Sequence, residues 1–165
     1  MKLTAKLARE ILFYDEQTGL LYWKQKTSKK TLIGSAAGCL HKASGYVFVT
    51  IHRVHHKAHR LIWLIKTGSW PRKDVDHVNG RRADNRWVNL REATRSQNLA
   101  NARLKLLNTS GFKGISWDGR RNKWRARIKV EYQEIWLGYF ATPEQAHAAY
   151  VAAAKEHFGE YARAA

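Results

Sequence analysis

Asp76-His77 opens a polar run that reaches Asn101, and its residue types suit one reaction, the hydrolysis of a phosphodiester. That reaction needs an activated water, stabilisation of the leaving 3′ oxygen, and help with charge building on the phosphoryl group. A neutral imidazole near its unperturbed pKa takes a proton from water at physiological pH. A divalent cation binds a phosphate oxygen and the leaving oxygen together, acting as Lewis acid and template. Magnesium keeps several waters and asks for few protein oxygens, so one Asp and one Asn suffice. His77 beside the Asp76 carboxylate offers a base and a metal anchor. The asparagines downstream, Asn89 and Asn98, offer a loop clamp and a neutral oxygen ligand.

Taken alone, Asp76-His77-Val78-Asn79-Gly80 reads as a polar turn whose Asn-Gly marks a hairpin. The longer string is harder to reach by chance, because Asp84-Asn85-Arg86, Asn89-Leu90-Arg91 and Asn98 stand in register with it. It resembles the HNH nuclease family in its H-N-N form, best known from homing endonucleases of phages and introns. The resemblance runs from about residue 8 to residue 103. Ala58-His59-Arg60-Leu61 and Gly68-Ser69-Trp70-Pro71 resemble the stretch that precedes the motif in phage-type members. It implies that His77 is the general base, and that Asp76 and Asn98 hold one divalent metal per active site. Asn89 would pin the loop between two strands and so keep the histidine in line. The implied unit is a ββα-metal finger, with strands ending at Asp76-His77 and running near Leu90–Thr94, and a helix from about Ser96. The family's third position is often His. Asn98 ligates through oxygen instead, which favours hard Mg²⁺ or Mn²⁺ over zinc.

The elements that must carry these residues follow from periodicity. Leu3, Leu7 and Ile11 predict a short amphipathic helix over 3–12. A turn at 14–19 and a strand over 20–24 follow, with further strands near 32–34 and 45–52. Residues 58–66 carry Leu61, Ile62, Trp63 and Ile65 at helical spacing and stop at Gly68 and Pro71. Asn108-Thr109-Ser110-Gly111 is small, polar and placed as a linker. The expected domains are therefore 1–107, with a nuclease core over 73–103, and 112–165.

The second domain predicts strands at 114–117, 123–130 and 134–140, then one helix. Thr142-Pro143-Glu144-Gln145 supplies its N-cap, first-turn proline and capping-box Gln, and Gly159 its stop. Strand 123–130 alternates, with Trp124, Ala126, Ile128 and Val130 on one side and Lys123, Arg125, Arg127 and Lys129 on the other. Such a sheet packs one face on a helix and lays its cations against DNA, where Arg reads guanine. Gly114-Ile115, Lys123-Trp124, Trp136-Leu137-Gly138-Tyr139-Phe140 and Glu144-Gln145-Ala146 resemble the plant APETALA/ethylene-response-factor DNA-binding domain, over about residues 112 to 161. The resemblance implies a DNA face of Arg121, Arg125, Arg127, Lys129 and Trp136. Plant members carry arginines where this chain has Ser116 and Asp118, and an acid where Arg127 stands, so plant sequence preference is not implied. Trp117 is expected in the core.

The 165 residues hold 30 Lys+Arg against 13 Asp+Glu, a net charge of +17 that seeks a polyanion. His52, His55, His56 and His59 sit among Arg53, Lys57 and Arg60, which opposes cation binding and reads as basic surface. Lys29-Lys30 and Arg81-Arg82 fit phosphate contacts or plain solvated charge. Cys39, the single cysteine, excludes an internal disulfide or multi-cysteine zinc site. The longest strongly apolar run, 61–65, is too short for a membrane span, and the charge-broken N-terminus is not expected to act as a signal peptide. The expectation is an α+β cytoplasmic protein with double-stranded DNA as partner, no membrane and no implied protein partner. The reading is a homing-type HNH endonuclease sited by a sheet-type DNA-binding domain, a pairing that implies phage or mobile-element origin. A DNA-binding regulator with an inactive HNH domain, or a weakly selective nuclease acting on host nucleic acid, are the alternatives.

Overall fold

Thr4 starts the first helix, its hydroxyl accepting from the Leu7 amide as α1 (Ala5–Ile11) begins. The computed structural model describes residues 3–104 and 108–163. They are grouped as two units, Met1–Glu92 and Ala93–Ala165, each with its own core.

In the first unit, α1 leads into an antiparallel hairpin of β1 (Leu12–Asp15) and β2 (Leu20–Trp23). Asp15 closes its turn by accepting from the Gln17 amide and the Thr18 hydroxyl. A meander of β3 (Cys39–His41), β4 (Tyr46–Ile51) and β5 (Val54–Lys57) follows, antiparallel throughout. The chain passes straight from β5 into α2 (Ala58–Thr67), which ends on Gly68 in the left-handed conformation, φ 81°. The α2 side chains Leu61, Ile62 and Leu64 are fully buried with Val49, Ile51 and Leu21. Two short strands, β6 (Asp74–His77) and β7 (Leu90–Ala93), pair as a separate ribbon, and Val75 and Leu90 anchor it in that core.

The second unit begins with α3 (Arg95–Asn101), capped reciprocally by Thr94 and Gln97. Its three-stranded antiparallel sheet has the order β8 (Ile115–Asp118), β9 (Lys123–Val130), β10 (Gln133–Phe140), and α4 (Pro143–Phe158) packs on it. Thr142 and Gln145 form the expected capping box, with Pro143 in the first turn and Gly159 at the end. Ala146, Ala153 and Ala154 let α4 approach Ala126, Ile128 and Ile115 closely. Gly114 is required where it stands, since a Cβ would meet the Arg127 carbonyl at 2.3 Å. Helix α3 is bolted to this sheet-and-helix module. Lys113 Nζ donates to Ala100 O and Arg163 O, Arg163 Nε donates to Asn101 Oδ1, and the Glu131 amide donates to Ser96 Oγ.

The chain is thus mixed α and β with small antiparallel sheets. Three details differ from expectation. The strand near 32–34 is absent: Leu32 and Ile33 face solvent, and residues 34–37 meet the edge of β2 around an isolated bridge, Ala36 opposite Tyr22. Strands β3 and β5 carry no apolar alternation, since every β3 residue is exposed and β5 reads Val-His-His-Lys. Trp117 is 48% exposed rather than core, its ring lying edge-on to Trp124. The two units divide between Glu92 and Ala93, and the expected domain end at 107 lies outside the described residues. In the expected linker 108–111, Asn108 Nδ2 donates to Phe112 O at 2.9 Å. No helix among the described residues is long and apolar enough to cross a membrane.

Candidate active site

Strand β6 delivers Asp76 and His77 to its C-terminal end, and both side chains are buried. The chain then turns tightly, the Gly80 amide donating to His77 O at 2.7 Å with Gly80 at φ 67°. Asn89 ties the two ends of the loop that follows. Its Oδ1 accepts from the Asn79 amide at 2.9 Å, and its Nδ2 donates to Asp84 O at 2.7 Å. Its own carbonyl accepts from the Val78 amide, and the side chain is buried. One amide therefore spans the loop from just after His77 to Asp84.

Asp84 organises the middle of that loop. Arg86 grips it with two N–H groups, Nε to Oδ1 at 2.8 Å and Nη2 to Oδ2 at 2.6 Å, and Asn79 Nδ2 adds a third bond. These bonds, Arg86 first, hold the Asp84 carboxyl well below the usual carboxylate range. Asp76 is paired otherwise, its Oδ2 accepting from Arg91 Nε at 3.1 Å across the ribbon. His77 Nε2 lies 3.0 Å from Oδ1 of Asn85, itself only 3% exposed. Burial pushes the His77 imidazole below its ordinary pKa, against the Asn85 bond and the Asp76 and Asp84 charges, which pull it up. A neutral, hydrogen-bonded imidazole is the state a proton acceptor needs.

A second histidine adjoins it. His59, on α2, meets His77 edge-on at 4.9 Å and Tyr46 at 5.1 Å between ring centroids. The Tyr46 ring carries Lys57 Nζ at 4.5 Å and the Arg82 guanidinium at 5.0 Å, so two cations flank the aromatic wall beside the imidazole pair. The basic-surface reading of the histidines holds for exposed His52 and His55. It fails for His59, which is 4% exposed because position 59 falls on the inner face of α2. His56 is half-buried and stacks on Trp70. Sequence alone assigns neither His59 nor Asn85 a role at the site, although the helical phase of 58–66 puts His59 one turn from Ile62.

Burial first, then the neighbouring His77 ring and the positive charges of Lys57 and Arg60, push His59 from an ordinary 6.5 down to about 3. The unfolded chain therefore binds a proton below pH 6.5 that the folded chain refuses until about pH 3. Stability from this group is complete above pH 6.5 and is lost as pH falls, by at most about 1.4 kcal/mol per unit. His59→Phe should accordingly lose about 2 kcal/mol less than wild type between pH 7 and pH 5 in urea unfolding. Equal losses would show that His59 is protonated freely in the fold.

The oxygen donors are hard. Asp76 offers a buried carboxylate beside the imidazole, and Asn98, the fourth residue of α3 in the second unit, offers an amide oxygen. Among the described residues no group of three or more His, Cys, Asp or Glu side chains is placed to hold a metal. A carboxylate and an amide oxygen are donor types that a well-hydrated cation such as Mg²⁺ takes, whereas zinc sites are built mainly from thiolate and imidazole.

In the second unit the cationic sheet face is ordered by its own acceptors. Arg125 stands opposite both Ser116 and Tyr139, and its Nε donates to Ser116 Oγ at 3.2 Å. Arg127 stands opposite Trp136 and bonds Glu134 at 2.9 Å. Arg121 lies over Tyr139, whose hydroxyl donates to Asp118, and Trp136 meets the same ring edge-on at 4.7 Å. Lys129 and Trp136 are exposed. A register shift between Trp136 and Gly138 lets Trp136 and Tyr139 share this face despite their odd spacing. Arg121, Arg125, Arg127, Lys129 and Trp136 thus all belong to this one unit.

Comparison with known proteins adds three findings. Residues 56–100 match the family model described as HNH endonuclease, and residues 110–160 match the AP2 domain. Protein 3.8 of Escherichia phage T7 is 33% identical over 76 residues, which cover 46% of this chain and 63% of that protein. No solved structure matches.

Proposed function

We propose, for a chain that carries an HNH endonuclease domain followed by an AP2 domain, a metal-dependent DNA endonuclease of homing type. Its nuclease domain is 1–107, built on a ββα-metal core at about 73–103, and its reader is 112–165, joined through 108–111. Both matched families indicate DNA binding, and double-stranded DNA in the cytoplasm of a phage host is the substrate this reading takes. The observation that carries it is the loop after His77: Asn89 bonds both of its ends, and the imidazole is buried and hydrogen-bonded at its root.

In this reading His77 removes the proton from the attacking water, and Asn89 keeps the loop from shifting the ring out of line. Asp76 and Asn98 would hold one Mg²⁺ or Mn²⁺. That ion, when bound, supplies Lewis-acid stabilisation to the phosphate and the leaving 3′ oxygen. Arg91 fixes the Asp76 carboxylate from the opposite strand. Lys57 and Arg82, beside Tyr46, add positive charge where a DNA backbone would approach.

The test is supercoiled plasmid incubated with the full chain in Mg²⁺ or Mn²⁺ and in EDTA. Nicked or linear product in metal, and none in chelator, is expected. Plasmid bound but uncut in every metal would favour a regulator with an inactive nuclease half, and scattered cuts on DNA and RNA a weakly selective nuclease.

The reader makes a separate prediction. Arg125, Arg127 and Lys129 leave the apolar face of β9 untouched, so replacing all three with Ala removes cations without removing core. Each lost phosphate contact lowers the salt slope of DNA binding by about one unit, so the triple variant should lose up to about three. Affinity measured against salt on two well-folded proteins decides it. Identical slopes would take DNA off this face.

A further inference from the structure

We propose that Asn85 is the positioning residue of His77, and that the β1–β2 hairpin, outside the segment matching the HNH model, holds Asn85 in place. This rests on the reading of His77 as the base. A neighbouring bond orients the Asn85 amide. Its Nδ2 lies 3.4 Å from Ala83 O, so its Oδ1 is the atom 3.0 Å from His77 Nε2. An amide oxygen only accepts, so Nε2 carries the imidazole proton and Nδ1 carries the lone pair. A general base works through one nitrogen, and the backbone carbonyl of Ala83 sets which one, by way of Asn85.

The loop does not need this side chain to stay closed. Asn89, Asp84, Arg86 and Asn79 already bond across it. Asn85 spends its buried amide on the ring.

The hairpin grips the same residue from behind. Tyr14 Oη donates to Asn85 O at 2.9 Å in a buried bond. Gly19, at φ 76°, lies so close that a Cβ would sit 2.5 Å from the Arg86 N and 2.7 Å from the Asn85 carbonyl carbon. Only glycine fits there. Residues 12–23 therefore form the back wall of the site, though nothing in their composition suggests chemistry.

The experiment uses the full chain, with folding checked by circular dichroism. Asn85→Ala should lower kcat by about 10- to 100-fold, as loss of an orienting partner does, with KM and DNA affinity within about twofold. Asn85→Asp, which keeps an acceptor oxygen in place, should recover most of the rate. Tyr14→Phe, which removes only a hydroxyl, should lower kcat about fivefold, the equivalent of one neutral hydrogen bond. Nitrogen NMR of the labelled His77 ring should give a single Nε2–H tautomer in wild type and a mixture in Asn85→Ala. That measurement needs no cleavage, so it judges Asn85 even if another residue proves to be the base. An unchanged tautomer, or an unchanged kcat in folded Asn85→Ala, overturns the assignment. A Tyr14→Phe chain with wild-type kcat and tautomer overturns the hairpin's part in it.

Discussion

His77→Ala should cleave DNA about 100- to 10,000-fold more slowly than the wild-type chain and bind it with nearly the same affinity. The split follows from where the ring sits. At 3% exposure the imidazole offers almost no surface to a ligand, so the affinity comes from exposed cations that the substitution leaves alone. What the substitution removes is the proposed acceptor for the water's proton. The ring also packs on His59 and Tyr46, so the variant is checked for folding before its rate is read. Single-turnover rates beside equilibrium binding on one duplex make the test. Wild-type speed would remove His77 from the mechanism.

Asp76 should show two separable losses. Asp76→Ala removes the carboxylate facing Arg91 in a pair with side chains 7% and 14% exposed. Breaking such a pair leaves a cation in a poor environment and costs on the order of 3 kcal/mol. Asp76→Asn keeps an acceptor for Arg91 and should cost far less stability. Both variants should lose most cleavage, because a neutral amide is a weak replacement for a carboxylate at a hard cation. Denaturant midpoints and metal titrations of cleavage separate the two effects. If folded Asp76→Asn cuts with wild-type metal dependence, Asp76 serves only as the partner of Arg91.

The parts of the fold written in local chemistry were legible. The capping box at Thr142 and Gln145, the alternation of 123–130 and the Gly68 stop each state a local preference that tertiary packing has no reason to override. Strands β3 and β5 were not, because their residues face solvent or carry charge and are strands only by pairing with β4. Trp117 misled for a related reason. Its size argued for burial, but its register on β8, directly opposite Trp124 at the sheet end, leaves it half open.

At the site, the order of Asp76, His77, Asn89 and Asn98 suggested the chemistry, and the loop geometry of Asn89 is compatible with the clamp proposed for it. Asn85 and His59 stayed hidden because their importance lies in long-range contacts: Asn85 with a hairpin some seventy residues earlier, and His59 with a ring on another element. The grouping of α3 with the second unit was equally unreadable, since the bonds from Lys113, Glu131 and Arg163 come from far along the chain.

The most direct test is cleavage in ¹⁸O-labelled water with Mg²⁺, followed by analysis of the new DNA ends. A base-activated water attacking phosphorus with the 3′ oxygen leaving predicts 5′-phosphate ends that carry one labelled oxygen, and 3′-hydroxyl partners. DNA that is bound by the folded chain yet stays uncut, or is cut without uptake of label, would contradict the account.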